Sequence, residues 1–167
     1  MHLAMDVHYR DDNSACVSGI LFREWNSEAE ESTLVCQIDQ VAEYEPGNFY
    51  KRELPCLQTL LATVTCPLQT IIIDGFVTLG ATGRPGLGFH LYEQLTEKTP
   101  VIGVAKNKFV DTSDETRIYR GNSGNPLYIT ARGLPLETAR QRIMSMHGDF
   151  RIPTLLRKVD QLCRAGG

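Results

Sequence analysis

A chain of 167 residues, 42% hydrophobic and 22% charged, is long enough to bury a core and has the make-up of an ordinary soluble domain, so residues 1–167 are expected to form one unit that folds alone, as a monomer. Its five cysteines (16, 36, 56, 66, 163) include no C-x-x-C pair, which speaks against a disulfide framework and a zinc site. No leader-like segment and no apolar run near the roughly 18 residues that span a bilayer are present, so the expected setting is a reducing cytoplasm, away from membranes.

In chain order, Leu3–Tyr9 and Cys16–Phe22 read as strands separated by the polar turn Arg10-Asp11-Asp12-Asn13, and Thr33–Val41 reads as a third after the exposed stretch Trp25–Ser32. That is an antiparallel meander. Pro46-Gly47 breaks the chain. Asn48 is expected to cap a short helical stretch over Phe49–Glu53, and Pro55 to open a second, with Leu57, Leu60, Leu61 and Val64 at helical spacing. A strand (Thr70–Asp74), a glycine-rich loop, a helix (about Leu87–Thr96) and a strand (Val101–Ala105) follow. A strand near Leu127–Thr130 then precedes two helices, about Leu136–Met146 and Pro153–Arg164. The runs I-I-I-D and V-I-G-V-A are nearly continuous, as inner strands covered on both faces require. The expected fold is α/β: a mixed sheet of the ribonuclease H-like kind, a three-strand antiparallel meander plus parallel strands, flanked by helices.

Three carboxylates stand where this layout can bring them together. The first strand of such a sheet neighbours the fourth, so Asp6 in mid-strand approaches Asp74 at a strand end while Glu53 leans in from the intervening helix. Converging oxygen ligands suit Mg²⁺, with Mn²⁺ as a substitute, and Mg²⁺ keeps waters that serve phosphodiester chemistry. Taken alone, Asp74-Gly75 is also what a plain strand-to-loop turn looks like. Charge is divided in a compatible way: residues 1–97 hold 5 Lys+Arg against 14 Asp+Glu, and residues 98–167 hold 12 against 6. Acids in the first half would hold metal while cations in the second grip an anionic ligand, with Lys106, Lys108, Arg132, Arg151, Arg157 and Lys158 as candidate phosphate contacts. Solvated helix faces would give the same counts.

The segments M-D-V-H-Y (5–9), Y-E-P-G-N-F-Y-K-R-E-L-P (44–55), I-I-I-D-G (71–75), G-L-G-F-H-L (86–91) and I-G-V-A-K (102–106) resemble, in order, the motifs of endonuclease V. N-P-L-Y-I-T (125–130) and R-I-P-T-L-L-R-K-V-D (151–160) resemble two later segments of that family. The resemblance implies a magnesium-dependent nuclease that nicks DNA or RNA near a deaminated adenine (hypoxanthine). It implies metal-binding carboxylates at Asp6, Glu53 and Asp74, with Asp160 at the position of the last acid or histidine, and Lys106 as the cation facing the scissile phosphate. Tyr44, beside Pro46 and Gly47, matches a wedge residue that fills the gap left by a flipped base, although a tyrosine beside Pro-Gly can equally anchor a turn. The loop from Gly75 through Gly86 to Gly88 would form the base pocket, and His90 matches a family histidine. G-R-P-G-L-G lacks both the Walker lysine and the G-x-G-x-x-G spacing, so a nucleotide-phosphate loop is excluded. His2, His8 and His147 receive no role.

Departures from the family pattern concern base recognition. Where H-P-R is usual, this chain has Leu79-Gly80-Ala81-Thr82. Glu43 and Glu45 flank Tyr44 in place of apolar neighbours, and Ala131-Arg132-Gly133 stands where a histidine is usual. Only five residues precede Asp6, so the helix that often leads into the first strand is not expected. Two alternatives therefore accompany the nuclease: one with a different lesion or structure preference, and a non-catalytic nucleic-acid-binding or interaction domain that keeps the fold.

Overall fold

Alternation along the first strand decides how the layers form. In the computed structural model, which describes residues 1–166, β1 (His2–Tyr9) is an inner strand with both faces covered. Leu3 and Met5 point to one face, into a core with Leu57 and Leu60 of α1 (Tyr50–Leu61) and Leu91 of α2 (Leu87–Gln94). Ala4 points to the other, into a core with Ala139 and Ile143 of α3 (Leu136–Ser145) and Leu155 and Val159 of α4 (Thr154–Ala165). Two apolar layers sandwich one sheet, as a helix-covered mixed sheet requires.

With β2 (Ala15–Phe22), β3 (Ser32–Ile38), β4 (Thr70–Asp74), β7 (Val101–Ala105), β8 (Arg117–Ile118) and β9 (Leu127–Arg132), the seven-stranded order is β3-β2-β1-β4-β7-β9-β8. β1, β2 and β3 form the expected antiparallel meander, β1–β4 and β4–β7 are parallel, and β9 returns antiparallel to β7. Met5 pairs with Ile73. The next residues, Asp6 and Asp74, therefore leave the two neighbouring strands at the same level and on the α4 face, the face shared by Ala4 and Ile72.

Several expected boundaries are corrected. Phe49–Glu53 and the segment from Pro55 are not two helices: α1 runs unbroken through Pro55, and its N-cap is Phe49 without a side-chain bond, so Asn48 does not cap it. Proline there removes the amide that would serve the Lys51 carbonyl; Lys51 is exposed to water, and burial of Leu54, Leu57 and Leu60 holds the turn. The third strand ends at Ile38, not Val41, because its partner β2 begins at Ala15, opposite Ile38. Val41 is buried all the same, its amide bonded to the Asn13 carbonyl at 2.8 Å. Inside the glycine-rich loop a two-residue hairpin, β5 (Thr78–Leu79) with β6 (Arg84–Pro85), went unread, since Pro85 and four nearby glycines mask any alternation. β9 reaches Arg132, α2 stops at Gln94, and β8 is too short to leave a periodic signal. Among the described residues no helix is long and apolar enough to cross a membrane.

Candidate metal centre and adjoining cleft

The parallel pair β1–β4 delivers Asp6 and Asp74, the first turn of α1 delivers Glu53, the end of β7 delivers Lys106, and α4 delivers Asp160. Asp6 is 6% exposed, and the Val7 amide donates to its Oδ1 at 2.8 Å. Burial first, then the charge of Asp74, with a smaller push from Asp160, lifts its pKa to about 7. Glu53 is lifted to about 8 by burial and then by Asp74 and Asp6. Asp74 is also raised by burial, an effect opposed by Lys106, whose Nζ lies 3.4 Å from Asp74 Oδ2. On α4, Arg164 Nε donates to Asp160 Oδ1 at 2.9 Å. The predicted acids thus lie close enough for their charges to act on one another, although only Asp6 and Asp160 among them bring ligand atoms into one group within 4.8 Å, and each of the three that shift is raised by burial first.

The tightest grouping of ligand atoms among the described residues was not anticipated: Asp6, Asp160 and Cys163 lie within 4.8 Å of one another. Cys163 is fully buried, and burial followed by the nearby Asp6 charge pushes its thiol up to about 12. Its signal in the sequence was the i,i+3 spacing from Asp160 on one helix. Hard oxygen donors suit Mg²⁺ or Mn²⁺, and the protonated sulfur behind them does not compete for such an ion. A narrow pocket, with room for little more than a water, runs from Asp6, Asp74 and Lys106 to Leu156 and Val159.

Beside the carboxylates opens a cleft of about 640 Å³. Gly47, Phe49, Tyr50 and Glu53 form one wall, and Asp74, Gly75, Phe76, Leu79, Pro85, Gly86 and Phe109 line the rest. The predicted glycine loop is therefore a cleft wall, and it is rigid: Gly75 N bonds Val104 O at 3.0 Å, Val77 N bonds Thr130 Oγ1 at 2.8 Å and Gly86 N bonds Val77 O at 2.9 Å. Gly75 sits at φ +135°, where a side chain would be strained. Gly103 has no side chain because one would meet Gly75 O at 2.5 Å, so the small residue in I-G-V-A-K is what lets the loop lie on the sheet.

Tyr44 is 55% exposed, its ring 5.5 Å from that of Phe49, which lines the cleft. Glu43 is exposed, and Glu45 pairs with Lys51 at 2.9 Å. His90 bonds no acid; its ring stacks on Tyr50 at 3.7 Å and 17°. Phe76 and Phe109, 6.3 Å apart edge to face, were missed as cleft residues because isolated aromatics in loops carry no period.

The second-half cations divide differently from expectation. Arg151 donates to the carbonyls of Asn125 at 3.0 Å and Pro126 at 2.9 Å, and to that of Lys106, so it is a strut. Arg132 pairs with Glu93 at 3.0 Å and Lys158 with Glu30 at 2.5 Å. Lys108 and Arg157 are exposed.

Known proteins resemble this chain in sequence and in fold. The sequence model of endonuclease V matches residues 2–132. Endonuclease V of Streptomyces coelicolor is 27% identical over 183 aligned positions, covering 96% of this chain and 76% of its own length. The crystal structure of the catalytic domain of human endonuclease V superposes with a TM-score of 0.77 at 24% identity, covering 99% of this chain and 81% of that one. That of Ciona intestinalis endonuclease V, in complex with a 24mer DNA containing an inosine followed by a ribo-adenosine, gives 0.77 at 17% identity, covering 99% and 84%.

Proposed function

Because the chain belongs to the endonuclease V family, we propose that it is a Mg²⁺-dependent endonuclease, with Mn²⁺ as a substitute, that hydrolyses a phosphodiester near hypoxanthine in DNA or RNA. The observation that carries this reading is the convergence of Asp6, Glu53, Asp74 and Asp160 from three layers, with the pKa of the first two raised to about 7 and 8. A solvated acidic surface would leave such groups near 4. Bound at these carboxylates, the cation would supply Lewis acidity toward the phosphodiester and lower the pKa of water.

The protein's own groups have distinct tasks. Asp6 and Asp74 would hold the ion from the parallel pair of strands, with Glu53 and Asp160 completing the oxygen set. Lys106, whose ammonium lies 3.4 Å from Asp74, would face the scissile phosphate, where positive charge would stabilise the charge that develops on the oxygens. Tyr44 enters the stack and the extruded base occupies the cleft between Gly47 and Gly86, with Phe76 and Phe109 offering ring faces. The Ciona relative was crystallised with inosine-containing DNA, which supports the choice of base.

The test is nicking of matched DNA and RNA oligonucleotides with and without hypoxanthine, in Mg²⁺ or Mn²⁺, against Asp74→Asn. Replacement of H-P-R by Leu79-Gly80-Ala81-Thr82 favours the second reading, a domain that binds without cutting; metal binding with no nicking of any substrate would establish it.

A further inference from the structure

We infer that Arg164, in the last turn of α4, is a phosphate ligand of the site, held by Asp160 until a divalent cation displaces it. The inference rests on the proposed function and adds to it a residue that no motif marked. Three observations lead there.

First, three of the six second-half cations expected to meet phosphate are committed elsewhere: Arg151 to backbone carbonyls, Arg132 to Glu93 and Lys158 to Glu30. Two cations do bond the acids of the site, Lys106 at Asp74 and Arg164 at Asp160. The Arg164 charge reaches further than its partner, holding down Asp74 as well, and Asp6 in turn acts on Arg164. Second, the segment that carries it is anchored. Arg10 Nη2 donates to the Gly166 carbonyl at 3.2 Å, Gln37 donates to the same oxygen, and Gly166 N closes the helix on Leu162 O at 3.0 Å. Third, the guanidinium is open to solvent: its side chain is 61% exposed, while that of Asp160 is 27% exposed. An i,i+4 pair with so exposed a partner is weak. With a divalent ion held by the carboxylates, Asp160 would bind Arg164 less strongly, and the guanidinium would be left to pair with a phosphate oxygen. A planar guanidinium suits that ligand, offering two parallel donors to its oxygens.

The experiment compares the parent chain with Arg164→Ala, Arg164→Lys and, as a control on the same helix, Lys158→Ala. Calorimetry measures Mn²⁺ affinity without nucleic acid. Fluorescence anisotropy measures the salt dependence of affinity for a hypoxanthine-containing duplex, in Ca²⁺ (a larger hard cation that takes the same oxygen donors) and in EDTA. Losing a competing cation should make Mn²⁺ bind Arg164→Ala about two- to five-fold more tightly. One lost phosphate contact should shrink the slope of log affinity on log salt by about 0.9 in Ca²⁺ and leave it unchanged in EDTA. Arg164→Lys should keep the slope, and Lys158→Ala should match the parent in both respects.

An unchanged slope for Arg164→Ala in Ca²⁺, with the parent bound, would overturn the inference and leave the proposed function standing. Equal slope losses in Ca²⁺ and EDTA, or the same loss in Lys158→Ala, would overturn it too, by reducing Arg164 to a fixed surface charge. A parent chain that takes up Mn²⁺ but binds no oligonucleotide would instead remove the proposed function, and this inference with it.

Discussion

Replacing Asp6 by Asn removes one charge from the middle of the carboxylate group while keeping its shape. In the folded chain Asp6 titrates at about 7 and Glu53 at about 8, against unfolded values near 4. Both groups hold protons more tightly folded than unfolded, so their contribution to stability is fully present below about 4 and is lost as pH rises through 7 and 8. His2, which burial pushes down to about 4, and His90, which burial also lowers, contribute in the opposite sense because unfolded imidazoles are still half protonated near pH 6.5, an offset of less than about 1 kcal/mol above that pH. From pH 6.5 to 8.5 the two acids outweigh the imidazoles. A proton kept by Glu53 over 1.5 units of that range, at about 1.4 kcal/mol per unit, makes the metal-free parent about 2 kcal/mol less stable at pH 8.5 than at 6.5. Protonating any one acid relieves its neighbours, so they share the strain, and Asp6→Asn is expected to be about 2 kcal/mol more stable than the parent at pH 8.5. Urea denaturation in EDTA at the two pH values measures both differences. Adding Mn²⁺ should then reverse the order, raising the parent by about 2.7 kcal/mol at a hundredfold excess over Kd and the variant by far less. A parent whose stability rises from pH 6.5 to 8.5, or an Asp6→Asn chain less stable than the parent in EDTA, would refute the argument.

Three further outcomes are expected. Lys106→Ala should cut nicking about a hundredfold or more while leaving hypoxanthine-oligonucleotide affinity within a few-fold, since the ammonium 3.4 Å from Asp74 acts on developing charge; an equal loss of affinity would reassign it to binding. Gly103→Ala should push against Gly75 O, Thr130 Oγ1 and Val77 N, lowering stability by about 1–3 kcal/mol and displacing the cleft wall; an unaltered melting temperature would show that the loop yields freely. Preference for hypoxanthine over uracil, an abasic site or no lesion should be about tenfold or more below the family norm, for want of the H-P-R side chains; strong hypoxanthine preference would show that backbone groups and the rings of Phe76 and Phe109 suffice.

Much of this arrangement was legible because period and register are local properties. L-A-M-D-V-H-Y alternates, so Asp6 had to share a face with Ala4, and a run ending I-I-I-D had to place its acid at a strand end. Convergence of the two needed one topological inference, that the first strand neighbours the fourth, and the parallel pairing of β1 with β4 agrees with it. What stayed hidden depends on partners distant in sequence. Arg151 reads as a free cation until the carbonyls of Asn125 and Pro126 surround it, and His90 reads as a polar contact until Tyr50 lies flat against it. Cys163 reads as a core thiol, which it is, yet the turn of α4 sets it beside Asp6. Pro55 misled for the opposite reason: a strong local rule was overridden by the burial of Leu54, Leu57 and Leu60 around it.

The central claim is that these acids are a cation site, and anomalous scattering from a crystal soaked in Mn²⁺ tests it most directly. The account predicts a peak held by carboxylate oxygens of Asp6 and Asp74, with Glu53 or Asp160 completing the shell and Lys106 withdrawn from Asp74. A peak elsewhere, or none at saturating Mn²⁺ with the Lys106–Asp74 pair intact, would contradict it.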